Sequence, residues 1–168
     1  MAILRIEKFN ASVLRKKCTE VEKITPEIKR LVFDMIETMK EGRATIGLAA
    51  PQVGISKRVI AVQFDPRGSK VIGLINPKIT KRSSETDVQE EGCLSFPGIY
   101  LSVRRAKEVE VEALDIDGEE IKIKAEGLGA EVLQHEIDHL DGILFFNRLS
   151  FFQQLKFKLK HPLIRLWL

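Results

Sequence analysis

Two histidines four residues apart bracket an acid in the run Gln134-His135-Glu136-Ile137-Asp138-His139. On a helix this spacing stacks both imidazoles on one face, one turn apart, where they can share a single ion. Glu136 lies between them in sequence and suits contact with a water on that ion rather than with the ion itself. A competing reading leaves both rings as surface histidines satisfied by carboxylates such as Asp138 and Asp141. Catalytic metal sites generally take three protein ligands and keep one open position, so a further donor must come from elsewhere. His161 is the one other histidine, in a Lys-rich stretch beside Pro162. Cys93 is the better candidate, because Gln89-Glu90-Glu91-Gly92-Cys93-Leu94-Ser95-Phe96-Pro97-Gly98 is punctuated by Gly and Pro, as a chain bending around a site should be. A thiolate is a strong soft ligand that a cation keeps deprotonated at neutral pH. A zincin-type peptidase would supply a third His or Glu downstream, and Leu140-Asp141-Gly142-Ile143-Leu144-Phe145 has none at the usual spacing. Two imidazoles and one thiolate suit a single Fe(II), Zn(II), Co(II) or Ni(II) ion far better than Mg or Ca. A cation there would bring the pKa of a bound water to about 7. Glu136 could then take the proton while the water attacks a carbonyl carbon.

These residues need a scaffold that brings a loop against a helix. Thr25 and Pro26 suit the start of one helix, and Ile28, Leu31, Val32, Met35, Ile36 and Met39 recur along it at helical spacing up to Gly42. A second helix, from about Leu128 to Asp141 and closed by Gly142, carries both histidines. Between them the pattern is that of strands. Residues 58–64 and 71–75 are apolar runs bounded by Asp-Pro and Asn-Pro, while 108–114 and 120–124 alternate with period two around an Asp117-Gly118 turn. The expectation is one α+β domain, with antiparallel or mixed sheet packed around a central helix that carries the His-Glu-Ile-Asp-His motif. Gly47-Leu48-Ala49-Ala50 is a small-residue run that lets backbone approach a ligand closely and pair with it as an added strand. It reads equally as a tight turn into the sheet, and it lacks the pattern of a nucleotide-binding loop.

The 168 residues, 44% hydrophobic and 30% charged, are enough for one core without disulfide staples. No apolar stretch approaches the length of a membrane span, and the first residues lack the pattern of a secretory signal. Two cysteines make no disulfide framework, so a reducing cytoplasm is expected, with Cys18 as a small buried residue. A net charge of +3 does not argue for sequence-specific nucleic-acid binding. The excess is local, since the stretch from Arg148 to Leu168 holds five basic residues and no acid, leaving 22 basic against 24 acidic elsewhere.

Three segments together resemble the peptide deformylase family: Ile46-Gly47-Leu48-Ala49-Ala50-Pro51-Gln52-Val53-Gly54, Glu91-Gly92-Cys93-Leu94-Ser95 and Gln134-His135-Glu136-Ile137-Asp138-His139. They stand in the family's order and at compatible separations, and the likeness spans about residues 1–150. It implies a catalytic domain over 1–150, with 151–168 as a basic-apolar tail of the same domain. It further implies removal of the formyl group from the amino-terminal methionine of nascent polypeptides, releasing formate. Cys93, His135 and His139 would hold the ion, with Fe(II) the family's metal and Zn(II), Ni(II) or Co(II) able to replace it. Gln52, through its side-chain amide, and Leu94, through its backbone N–H, would steady the oxyanion, and Glu136 would return the proton to the departing amine. Ile46, Gly47 and Gly92 would line the substrate. Leu128 and Val132 precede His135 by seven and three residues, so they share its helix face. They either form an apolar wall for the methionine side chain or simply pack in the core.

The match departs at Thr45, where many members have glycine, and at Tyr100, where some bacterial members place an arginine near the substrate entrance. Glu91 either touches substrate or braces the site. Residues 151–168 are more apolar than the tail helix of some members. Packing on the body or on a second subunit is the favoured reading, with docking on ribosomal RNA or a membrane surface as the other. Rival functions are an amidase of the same chemistry on another formamide, and a module in which the metal only braces the fold.

Overall fold

A computed structural model describes residues 2–41, 45–64 and 71–162. Among them the order is α1 (Pro26–Glu41), β1 (Gly47–Ala49), β2 (Val59–Gln63), β3 (Val71–Arg82), β4 (Thr86–Gly92), β5 (Tyr100–Ala106), β6 (Glu108–Leu114), β7 (Glu120–Glu126), α2 (Gly127–Leu140) and α3 (Phe151–Lys160). Short 3-10 turns cover Ser12–Arg15, Ala50–Val53 and Phe145–Arg148.

Strand β2 shows why these elements stack as they do. Side chains of a strand alternate between faces. Val59 and Ala61 enter the cluster formed with α1, whereas Ile60 and Val62 enter the one formed with α2. Both faces are therefore buried, which is why residues 59–62 read as an unbroken apolar run rather than an alternating one. The sheet is antiparallel throughout, in the order β1-β2-β3-β6-β7, and β4 and β5 form a separate two-stranded antiparallel sheet. This is the expected α+β arrangement, with α2 packed against the sheet as its central helix. A third, mainly aromatic cluster joins Phe96, Phe145, Phe146 and Phe157, tying the loop after β4 to the chain beyond α2.

Helix α1 starts at Pro26 and buries Val32, Met35 and Met39; its expected end at Gly42 lies outside the described residues, as does Asp65-Pro66. The β6–β7 hairpin turns where expected, with Gly118 at φ 89° and Asp115 Oδ1 accepting from the N–H groups of Asp117 and Glu119. Asn76-Pro77, expected to end a strand, instead lies inside β3. Asn76 takes φ 52° and the register with β6 shifts between Ile75 and Lys78, a bulge of the kind that tolerates proline within a sheet. The Asn76 amide is held by Val21, donating to its carbonyl at 2.9 Å and accepting from its N–H at 2.8 Å. Strands β4 and β5 carry no clear apolar alternation, since β4 buries only Glu91. Cys18 is buried in the α2-side core, as expected. Among the described residues no helix is long and apolar enough to cross a membrane.

Candidate metal centre

Helix α2 buries every side chain from Val132 to Leu140, so its polar residues must find partners or carry a cost. Gln134 finds them on β5 and within its own helix, accepting from Ala106 N–H at 3.1 Å and donating to the carbonyls of Ala106 and Ala130. His135 and His139 lie one turn apart with ring centroids 5.0 Å from each other. The chain leaves β4 at Gly92 and turns immediately, bringing Cys93 Sγ to 3.3 Å from His139 Nε2. One ligand atom from each of Cys93, His135 and His139 lies within 4.8 Å of the other two.

A divalent ion fits this donor set. Zinc-like bond lengths around a tetrahedral ion put its ligand atoms about 3.5 Å apart, a spacing compatible with the trio. His135 Nδ1 donates to Glu91 Oε2 at 2.7 Å, which leaves Nε2 of the same ring free to ligate. Burial alone would raise the Cys93 thiol. The imidazoles beside it, His139 first, nevertheless hold it well below the ordinary thiol range.

Glu91 thus braces His135. Burial opposes its charge, but His135 and Arg105 prevail and keep its pKa at about 2. Arg105 of β5 grips Glu91 with Nε at 2.6 Å and Nη2 at 3.0 Å, and its Nη1 donates to Asp138 Oδ2. Arg148 also donates to Asp138, from Nε to Oδ2 at 2.9 Å and from Nη2 to Oδ1. Asp138 and Asp141, considered as partners for the histidines, are bonded instead to Arg105 and Arg148 and to Arg58 respectively. Arg105 escaped the sequence reading, although one signal pointed to it. It shares a strand face with Val103, and an arginine on a buried face requires a carboxylate. Nothing local in the sequence marks Arg148.

The Glu136 carboxyl is perturbed in the opposite direction. Burial pushes its carboxyl up to about 7, against the pull of His135 and His139. Its Oε2 is buried with no hydrogen-bond partner among the described residues. A Cβ added at Gly47 would sit 2.3 Å from Glu136 Oε1, so only glycine leaves room there. Gln52, 2% exposed at the 3-10 turn after β1, accepts from Ala49 N–H at 2.8 Å through Oε1. That bond points its Nε2 toward Cys93 Sγ, 3.5 Å away.

A cleft of about 500 Å³ opens over these groups. Ile46 and Gly47 line one side, Gly92 and Leu94 the other, with Gln52, Cys93, Leu128, Val132, His135 and Glu136 between. His139, 1% exposed, lies beneath. Leu128 is 40% exposed and belongs to the cleft alone, whereas Val132 lines it and also enters the core. Thr45 and Tyr100 stand at the same cleft, the Tyr100 ring lying so close to Gly92 that a Cβ there would meet it at 2.8 Å.

Two imidazoles one helical turn apart, a loop thiol and a buried carboxylate with an unbonded oxygen define a metal-dependent hydrolase. Comparison with known proteins narrows the class. The polypeptide deformylase family matches residues 3–154. The chain is 49% identical over 152 residues to a peptide deformylase of Thermodesulfovibrio yellowstonii, covering 89% of this chain and 91% of that protein. It is 48% identical over 148 residues to peptide deformylase 1 of Clostridium perfringens, covering 88% and 98%. The crystal structure of peptide deformylase from Thermus thermophilus aligns with a TM-score of 0.89 at 42% identity, over 96% of this chain and 95% of that one. The enzyme from Thermotoga maritima aligns at 0.84 and 41%, over 89% and 99%. The chain belongs to the polypeptide deformylase family.

Proposed function

We propose a division of labour among these residues for the family's reaction, removal of the formyl group from the amino-terminal methionine of nascent polypeptides. Cys93, His135 and His139 hold one divalent ion, with Fe(II) favoured and Zn(II), Ni(II) or Co(II) as substitutes. Such an ion, when bound, acidifies water and polarises the formyl carbonyl. Glu136 takes the proton of the attacking water and hands it to the departing amine, a pair of tasks supported by its place in the cleft beside the ligand trio. Gln52 Nε2 and the Leu94 N–H donate to the oxygen that gains charge. The Leu94 N–H takes no backbone acceptor among the described residues. Ile46, Leu128 and Val132 offer apolar surface to an unbranched side chain, while Gly47 and Gly92 let peptide backbone come close.

One observation carries this reading: the trio of ligand atoms within 4.8 Å, with a buried Glu136 beside it in the same cleft. Formate release from a formyl-Met peptide, compared with Glu136→Ala, tests it. Release that survives the substitution defeats the base assignment. Metal retained with no release from any formamide favours the bracing module. Metal analysis of anaerobically prepared protein decides between iron and its substitutes.

We place the protein in the cytoplasm, a setting supported by two free cysteines. Residues 1–150 are proposed as the catalytic domain, with 151–168 as its tail. Stacking of Phe157 on Phe146, with centroids 5.4 Å apart, supports packing of the tail on the body. A ribosome contact is the second reading, favoured by Lys156 and Lys160 exposed on α3. Removing residues after Ser150 separates the two, because lost stability with unchanged ribosome binding ends the docking idea.

A further inference from the structure

The 3-10 turn Phe145–Arg148 reaches the metal ligand His135 by two routes. The Phe145 ring packs directly against it, with centroids 6.0 Å apart. Arg148, three residues on, grips Asp138 with both Nε and Nη2. Asp138 shares Arg105 with Glu91, and Glu91 accepts from His135 Nδ1. Four charged side chains thus form one line from the protein surface to the ligand. Glu91, Arg105 and Asp138 have side chains only 2–6% exposed, whereas that of Arg148 is 39% exposed.

The charges fix what each link does. Two carboxylates and two guanidiniums balance, so each buried ion has a counterpart. Asp138 uses both oxygens on Arg148 and one of them again on Arg105. Without Arg148, Asp138 keeps Arg105 as its sole charged partner in the line and competes harder with Glu91 for the same guanidinium. Glu91 is what sets the ring plane of His135, and groups bonded to a ligand commonly change metal affinity 10- to 100-fold when lost.

We propose that Arg148 is a positioning residue for the metal centre, acting through Asp138, Arg105 and Glu91 on the orientation of His135. The inference rests on the metal-centre reading above but not on the identity of the substrate.

The test uses full-length protein loaded with Co(II), comparing wild type, Arg148→Ala and Arg148→Lys. Arg148→Ala should shift the visible absorption of bound Co(II) and release the ion to a chelator about 3- to 10-fold faster, less than loss of a group bonded directly to a ligand because three side chains intervene. Arg148→Lys keeps the charge but loses the two-pronged grip, so its release rate should fall between the other two. Should the alanine variant fail to fold, the lysine variant is read by the same two measurements. A lowered melting temperature with unchanged spectrum and release would mark a mere brace and overturn the proposal. Wild-type protein that takes up no Co(II) would sink the metal-centre reading and this inference with it, whereas Co(II) bound without deformylation would leave the inference standing.

Discussion

Helices α2 and α3 treat polar and apolar groups in opposite ways. Helix α2 buries Gln134, His135, Glu136, Asp138 and His139, whereas α3 buries only Phe157 and exposes Phe151, Phe152, Leu155 and Leu159. Burial without a partner is costly for a polar group and favourable for an apolar one. Helix α2 is therefore arranged for something other than stability, and most of its polar atoms are matched. The exceptions among the described residues, Glu136 Oε2 and His139 Nδ1, both lie at the candidate metal centre. Helix α3 contributes mainly through one ring, and its remaining apolar surface does nothing for the fold that the structure shows.

Substitutions can break this contrast or sharpen it. Glu136→Ala has the largest expected effect, a loss of formate release of about 10²- to 10⁴-fold. Its melting temperature should hold or rise, because a buried carboxyl with an unbonded oxygen costs stability; a fall of several degrees would erase the contrast. Gly47→Ala comes next. Its methyl group must displace the Glu136 carboxylate, and a shift of about 1 Å in a reacting group can cost about 10²-fold in kcat, measurable on the same substrate with metal content unchanged. On the α3 side, Phe157→Ala should cost about 3 kcal/mol, the low end for a buried phenylalanine, seen as a lower Tm, with kcat/KM nearly unaltered. Phe152→Ser is the smallest. Phe152 is 79% exposed, so stability should stay within about 0.5 kcal/mol of wild type in chemical denaturation. A larger loss would reveal packing across α3 and weaken the comparison.

Legibility in the sequence divides between local and distant structure. The His135–His139 spacing and Gly142 beyond it mark α2 because helical periodicity is local, and Thr25-Pro26 marks α1 for the same reason. The β6–β7 hairpin was legible from its alternation and its Asp-Gly turn. Strands β4 and β5 were not, since a two-stranded sheet exposed on one side imposes little pattern, and the bulge at Asn76-Pro77 hid the far half of β3. Cys93 could be chosen because few residue types compete as soft ligands. Its neighbour Glu91 stayed ambiguous, because its partners Arg105 and His135 lie 14 and 44 residues away and meet it only through the tertiary fold.

The two sides of the cleft belong to different sheets. Strand β1 is the edge of the five-stranded sheet and β4 belongs to the two-stranded one, and residues of both line the same cleft. An extended chain entering there could pair with an open strand edge as an added strand. Such pairing uses amide and carbonyl groups that every polypeptide possesses. Pairing of that kind would place no demand on the identity of later side chains, which would suit a catalyst that must process many different newly made proteins with one groove.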